Sequence, residues 1–173
     1  MCGRFAQTSS AEELVTFFGL STRPYLEPRF NIAPTQSITI IRAHDNGRHA
    51  HSFRWGLIPS WSKDIKVGQK MFNARSETVF EKRSFAHAAR HQRCVIPASG
   101  FYEWRDTPAG KMPTLFRPVS DPMFCFAGLW SSWADPDGVL LYSTTILTTA
   151  ANTTLAPFHH RMPVLLTKSN ISC

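Results

Sequence analysis

Met1-Cys2-Gly3-Arg4 places a cysteine second in the chain, where its small side chain permits removal of Met1 by a methionine aminopeptidase or by the protein itself. Cys2 would then carry an α-amine and a thiol on adjacent carbons. With reference pKa values of about 8 for the amine and about 8.5 for the thiol, both nucleophilic forms are accessible near neutrality. Such a 1,2-aminothiol condenses with aldehydes. The amine forms a Schiff base, and the thiol closes on the same carbon to a five-membered thiazolidine. An internal cysteine, whose nitrogen is an amide, cannot form this ring. Alone, the Met-Cys-Gly start is a weak signal, because chance supplies it often.

Three other segments carry more polar chemistry than their local structure requires. In residues 100–105 (GFYEWR), strand alternation puts Phe101, Glu103 and Arg105 on one face and Tyr102 and Trp104 on the other. A carboxylate among aromatics in a strand is paired, solvated or functional, and a partnered structural role is the plainer alternative. Residues 72–77 (FNARSE) lead into a helical stretch that Ser76 could cap, yet Asn73 and Arg75 exceed that need. Residues 159–163 (HHRMP) set two imidazoles beside a guanidinium, a combination suited to proton transfer, although a lone histidine is more often structural. Cys94 and Cys125 lie in apolar runs and read as buried small hydrophobes, and Cys173 ends the chain. None of the cysteines forms a CxxC pair or joins a histidine cluster at zinc spacing, so neither a metal nor a cofactor is expected.

The elements that must position these groups are mostly strands. Ser10 with Glu13 forms a capping box for a short helix over 11–18, stopped by Gly19. Residues 21–35 read as an extended loop. Segments 36–44 and 48–57 flank Asn46-Gly47, a strong hairpin signal. Residues 62–72 are polar and irregular. Residues 77–91 predict a second helix, with Thr78 and Glu81 as its capping box and Phe80 and Ala88 towards the core. Strand-like segments follow at 94–99, 100–105, 113–119, 123–133, 139–149 and 163–167, with turns at 107–110 (TPAG) and 135–138 (DPDG). Without regular β-α alternation this is an α+β fold of mostly antiparallel strands, forming a partly closed barrel or two packed sheets with a few flanking helices. No repeat or linker interrupts the chain, so a single domain over 1–173 is expected.

Charge bears on the kind of partner. The 173 residues carry a net charge of +7. Residues 1–93 hold 14 basic and 7 acidic side chains, and residues 94–173 hold five of each. A basic first half suits a polyanion, and a plain solubility charge is an equally good reading of composition alone. Arginine outnumbers lysine 13 to 6, which favours phosphate contact, because a planar guanidinium grips two oxygens at once. No apolar run approaches the roughly 18 residues of a membrane span, and the N-terminus lacks the apolar region of a secretory signal, so an intracellular protein with no membrane partner is expected.

The chain resembles the SRAP (SOS response-associated peptidase) family. The matching segments are MCGRF at 1–5, RFNIAPTQ at 29–36, RWGLIPSW at 54–61, FNARSET at 72–78, RCVIPASGFYEW at 93–104, FAGLW at 126–130, and ILTTAAN with HHRMPVLL within 146–166. They run in family order over nearly the whole chain. The resemblance implies that Cys2 crosslinks covalently to the ring-opened aldehyde of an abasic site in single-stranded DNA, including sites at junctions with duplex. It implies that Asn73 orients Cys2 and the sugar, that Glu103 is the acid/base beside the α-amine, and that His159 assists sugar opening. Arg4, Arg75 and Arg161 resemble phosphate contacts, and Asn31, Pro34 and Trp61 a shell bordering the lesion. The abasic sugar is mostly a closed hemiacetal, so a proton donor must release its aldehyde, and Schiff-base formation needs a base at the amine. The family usually continues past the last strand with a helical segment, so the expected domain is short at its C-terminal end.

Three rivals stand beside this reading. Class II glutamine amidotransferases also begin Met-Cys-Gly, but RFAQTSS does not resemble their substrate-binding set. A non-covalent reader of modified DNA would bind equally well without Cys2. A general peptidase would need turnover, whereas a single-use cysteine fits self-removal of Met1. The resemblance implies a single-turnover crosslinker with lyase-type Schiff-base chemistry, in the cytoplasm or nucleoid of a bacterium or the nucleus of a eukaryote.

Overall fold

A computed structural model describes residues 2–171. Its strands are β1 (Phe5–Gln7), β2 (Arg29–Ile32), β3 (Ser37–His44), β4 (Gly47–Trp55), β5 (Asn73–Arg75), β6 (Arg93–Ala98), β7 (Gly100–Thr107), β8 (Gly110–Phe116), β9 (Phe124–Ala134), β10 (Leu140–Ala150) and β11 (Arg161–Pro163), and its α-helices are α1 (Ala11–Phe18) and α2 (Ala86–His91). The fold is α+β, built mostly of antiparallel strands. Strands β10, β4, β3, β6 and β9 pair in that order, and β9 returns to β10, closing a five-stranded barrel. The one parallel contact within the ring is β10 with β4. A second, antiparallel sheet has the order β2-β1-β7-β8.

The local signals act as expected where their partners are close in sequence. Ser10 Oγ accepts from the Glu13 amide at 3.1 Å, and Glu13 Oε2 accepts from the Ser10 amide at 2.6 Å. Gly19 ends α1 in the left-handed region at φ 63°. The helix buries Ala11, Leu14 and Phe18. The β3–β4 hairpin turns at residues 45–46, with Gly47 at φ 115° paired to His44. Aromatic packing joins the two sheets: Phe5 of β1 meets Trp55 of β4 edge-on at 5.0 Å and Phe126 of β9 at 6.0 Å. Such pairs add about 0.5–1.5 kcal/mol beyond the area they bury.

The helix expected over 77–91 forms only at Ala86–His91. Its N-cap is Phe85, without a side-chain cap, so Thr78 and Glu81 make no capping box. Ala88 is buried as expected, but Phe80 is 55% exposed and Val79 takes the buried place. Backbone pairing is the reason. β5 pairs in parallel with β10, and the Ser76 amide continues that ladder to Thr148 O at 2.9 Å. The chain therefore enters this stretch extended and must turn before a helix can start. Residues 29–32, read as loop, form β2 because Phe5 offers a partner to Ile32 across 27 residues. Beyond β11 the expected strand over 163–167 is irregular, bonding to β9 through Ala127 N–H to Val164 O and Leu166 N–H to Cys125 O. No helix among the described residues is long and apolar enough to cross a membrane.

Candidate functional site

Strand β1 delivers Cys2. The Tyr102 amide donates to Arg4 O at 2.9 Å, carrying the β1–β7 pairing past Phe5 towards the chain start. Continued in register, Gly3 falls opposite Glu103. Cys2 is fully buried among the aromatic residues of the main core. Burial pushes its thiol well above the ordinary range, and the nearby Glu103 charge pushes the same way. The sequence reading made a thiolate accessible near neutrality; in the folded chain desolvation keeps the sulfur protonated. Asn73, at the start of β5, donates its side-chain amide to Cys2 O at 3.0 Å. The Asn73 amide oxygen is buried without a hydrogen-bond partner among the described residues. Met1, whose removal the sequence reading requires, lies outside the described residues.

Glu103 sits on β7, 3% exposed, because alternation turns it inward with Phe101. Burial raises its carboxyl above the ordinary value, while the positive chain terminus pulls the other way. His159 lies in the loop between β10 and β11. The Arg161 amide donates to His159 Nδ1 at 2.9 Å, so the neutral ring carries its proton on Nε2. Partial burial lowers the His159 pKa from its ordinary value, helped by the positive chain terminus and His160. Glu103 and His159 line one cleft of about 450 Å³ with Trp104 and Lys111. The last two were not singled out from the sequence. Lys111 stands on β8, and only the β7–β8 ladder brings it to the cleft.

Arg161 is placed differently from the phosphate contact that the resemblance implies. It is 9% exposed. Its Nη1 and Nη2 donate to the two Glu77 carboxylate oxygens at 2.8 and 2.9 Å, and Nη2 also donates to Thr148 O at 2.6 Å. The hydrogen bonds from Arg161 hold Glu77 at about 2, so this carboxylate stays ionised throughout the range in which His159 titrates. A guanidinium held through both terminal nitrogens in this way fixes the backbone whose amide orients His159. Replacing Glu77 by Ala leaves a buried cation without its partner, so we expect the thermal midpoint to fall by roughly a few degrees. Glu77→Gln should lose less, because one acceptor remains. Thermal unfolding of the two variants checks this, and an unchanged midpoint for Glu77→Ala would contradict it.

The other expected binding residues lie further out. Arg4 Nη1 donates to Asn31 Oδ1 at 3.1 Å, linking β1 to β2. Pro34 precedes Thr35, a β-branched residue at φ 77°, held there by its amide to Trp55 O at 2.7 Å and by Arg54 Nη1 to its carbonyl at 3.0 Å. Arg75 is exposed at the end of β5. Trp61 is 48% exposed and carries the Arg83 guanidinium 4.5 Å from its ring centre. Among the described residues, no set of three or more His, Cys, Asp or Glu side chains is arranged to hold a metal ion.

Comparison with known proteins shows the family and the fold. The family model described as SOS response associated peptidase (SRAP) matches residues 1–173. The abasic site processing protein YoqW of Bacillus subtilis is 44% identical over 175 residues, spanning 98% of this chain and 78% of its own. The chicken (Gallus gallus) abasic site processing protein HMCES is 31% identical over 170 residues, covering 80% of this chain and 51% of its own. A crystal structure of a protein from Bacteroides thetaiotaomicron superposes with a TM-score of 0.88 at 28% identity, covering 97% of this chain and 78% of that one.

Proposed function

This chain belongs to the SOS response associated peptidase (SRAP) family, and from that premise we propose that it processes abasic sites by crosslinking Cys2 to the sugar aldehyde in single-stranded DNA. One observation carries the chemistry: Asn73 holds the Cys2 carbonyl while the buried Glu103, on the same cleft as His159, lies close enough to shift the Cys2 thiol.

Removal of Met1 frees the Cys2 amine. His159 then protonates the ring oxygen of the closed sugar, the bond from that oxygen to C1′ breaks, and the C1′ hydroxyl loses its proton to give the aldehyde. Because the Cys2 thiol is held protonated, the amine attacks first. The carbinolamine loses water, helped by Glu103, and leaves a C=N bond. The thiol then adds across it, with sulfur bonding to carbon and the proton passing to nitrogen. The net change is a condensation with loss of one water, and nothing is oxidised or reduced. Arg161 serves as a positioning residue for His159, and Arg4 with Asn31 borders the strand. The reverse path adds water back to the imine and releases DNA with its abasic site intact, whereas lyase-type behaviour takes a proton from C2′ of the same imine and expels the 3′ phosphate.

Incubation with an abasic single strand should give a product that survives heat and denaturing electrophoresis. No such product from protein lacking Met1 would overturn the proposal. Reversible binding should weaken linearly on a log–log plot against salt, because bound counterions are released. Removing the exposed Arg75 as Arg75→Gln should make that slope shallower by roughly 0.7, the single-strand value per phosphate contact. Titrations at several salt concentrations measure it, and affinity indifferent to salt would rule out a phosphate-led approach.

A further inference from the structure

Because residues 77–85 turn across the surface, Phe80 is left 55% exposed. Arg90 lies beside it, its guanidinium 5.7 Å from the ring centre and its Nη2 donating to Phe80 O at 3.3 Å. A second hydrogen bond, from Arg90 Nη1 to Ala86 O at 2.9 Å, fixes the side chain in this position. The same turn lays Arg83 over Trp61. Residues 77–91 thus supply one exposed ring, Phe80, and the arginines that cover it and the exposed ring of Trp61. The acidic residues of 77–91 are Glu77, committed to Arg161, and Glu81, so the stretch remains cationic.

An isolated exposed ring beneath a guanidinium is a poor core for a protein interface, which needs contiguous apolar area. It suits a single strand of nucleic acid. Every base offers a π-face to the ring, and the guanidinium is placed for the adjoining phosphate. The surface also follows directly in the chain from β5, whose Asn73 holds Cys2 and whose last residue is Arg75. Trp61 borders the lesion in the resemblance stated above; we infer that Arg83 beside it and Phe80 with Arg90 extend that border into a track for single-stranded DNA leading away from the lesion. Trp61 and Phe80 stack on bases flanking the abasic site, and Arg83 and Arg90 hold the phosphates between them. The direction of the track rests on the reading of Cys2 as the lesion site; its affinity for a strand does not.

The test uses an undamaged single-stranded oligonucleotide and the chain in its present form, with binding followed by fluorescence anisotropy. Phe80→Leu keeps an apolar side chain but loses the π-face, and should weaken binding by about tenfold, in line with the effect of removing one stacking ring. Phe80→Trp should bind as tightly as the parent. The double variant Arg83→Gln with Arg90→Gln should flatten the salt slope by roughly 0.7 per arginine removed. If the parent fails to bind the undamaged strand, or if Phe80→Leu and the double variant both bind like the parent with unchanged slopes, the track is overturned. Crosslinking by the parent to an abasic strand is scored separately. Its failure beside these binding effects would discard the covalent reading and leave the track standing.

Discussion

Cys2→Ala is expected to abolish the heat-stable adduct with abasic single-stranded DNA and to leave weak, reversible binding. The alanine variant still presents an α-amine once Met1 is gone, so an imine can form and hydrolyse, but nothing closes on its carbon. Cys2→Ser should also fail to give a stable ring, because a hydroxyl is a poorer nucleophile than a thiol and its ring reopens. The serine variant has a structural cost as well. The position is fully buried, and an unpaired hydroxyl in an apolar pocket costs about 1–3 kcal/mol. Thermal unfolding beside the denaturing gel separates lost chemistry from lost fold. A full yield of adduct from Cys2→Ala would end the covalent account.

The second large effect concerns Glu103 and His159. A single positioned acid or base contributes ~10²–10⁴-fold in rate, so Glu103→Gln and His159→Ala should each slow crosslinking severely without preventing it. Their pH signatures should differ. Burial lowers the His159 pKa, so the imidazolium that donates to the sugar oxygen is a minor species at neutrality and grows as pH falls. Ring opening should therefore speed up on acidification. Glu103 has a raised pKa, so it loses its charge at a higher pH than an ordinary carboxylate, and the amine protonates as well. Both oppose the gain, and the closed abasic site should show a bell-shaped profile. An analogue presenting a free aldehyde needs no ring opening. With it, His159→Ala should recover most of its loss, while Glu103→Gln should remain slow and should also delay release of DNA from the adduct. If His159→Ala is equally impaired on both substrates, histidine acts at a later step.

What the sequence reveals follows from the range of the interactions. The Ser10–Glu13 capping box, the β3–β4 hairpin around Asn46 and the inward face of Glu103 depend on neighbours within a few residues, and each has a readable pattern. The β1–β2 pairing joins Phe5 to Ile32, and β5 pairs with residues more than 70 positions away. No local periodicity announces either strand. The same pairing holds residues 73–76 extended, which explains why helix propensity over 77–91 is overridden until Ala86. The Glu77–Arg161 bond spans 84 residues, and no local pattern announces it. Cys2 shows the limit most clearly. Its place in the chain advertises an aminothiol, but only packing shows the burial that pushes the thiol up, on which the proposed order of attack rests. The roles of Asn73, Glu103 and His159 are those the family resemblance implies, and the structure adds the hydrogen bond by which Asn73 holds the Cys2 carbonyl.

The most direct measurement is the intact mass of the denatured product formed with an abasic oligonucleotide of known mass. The account predicts one species equal to the protein without Met1, plus the oligonucleotide, minus one water, and its absence from Cys2→Ala. Protein and oligonucleotide that separate completely on denaturation, or an adduct whose mass retains Met1, would contradict a ring built on the Cys2 amine and thiol.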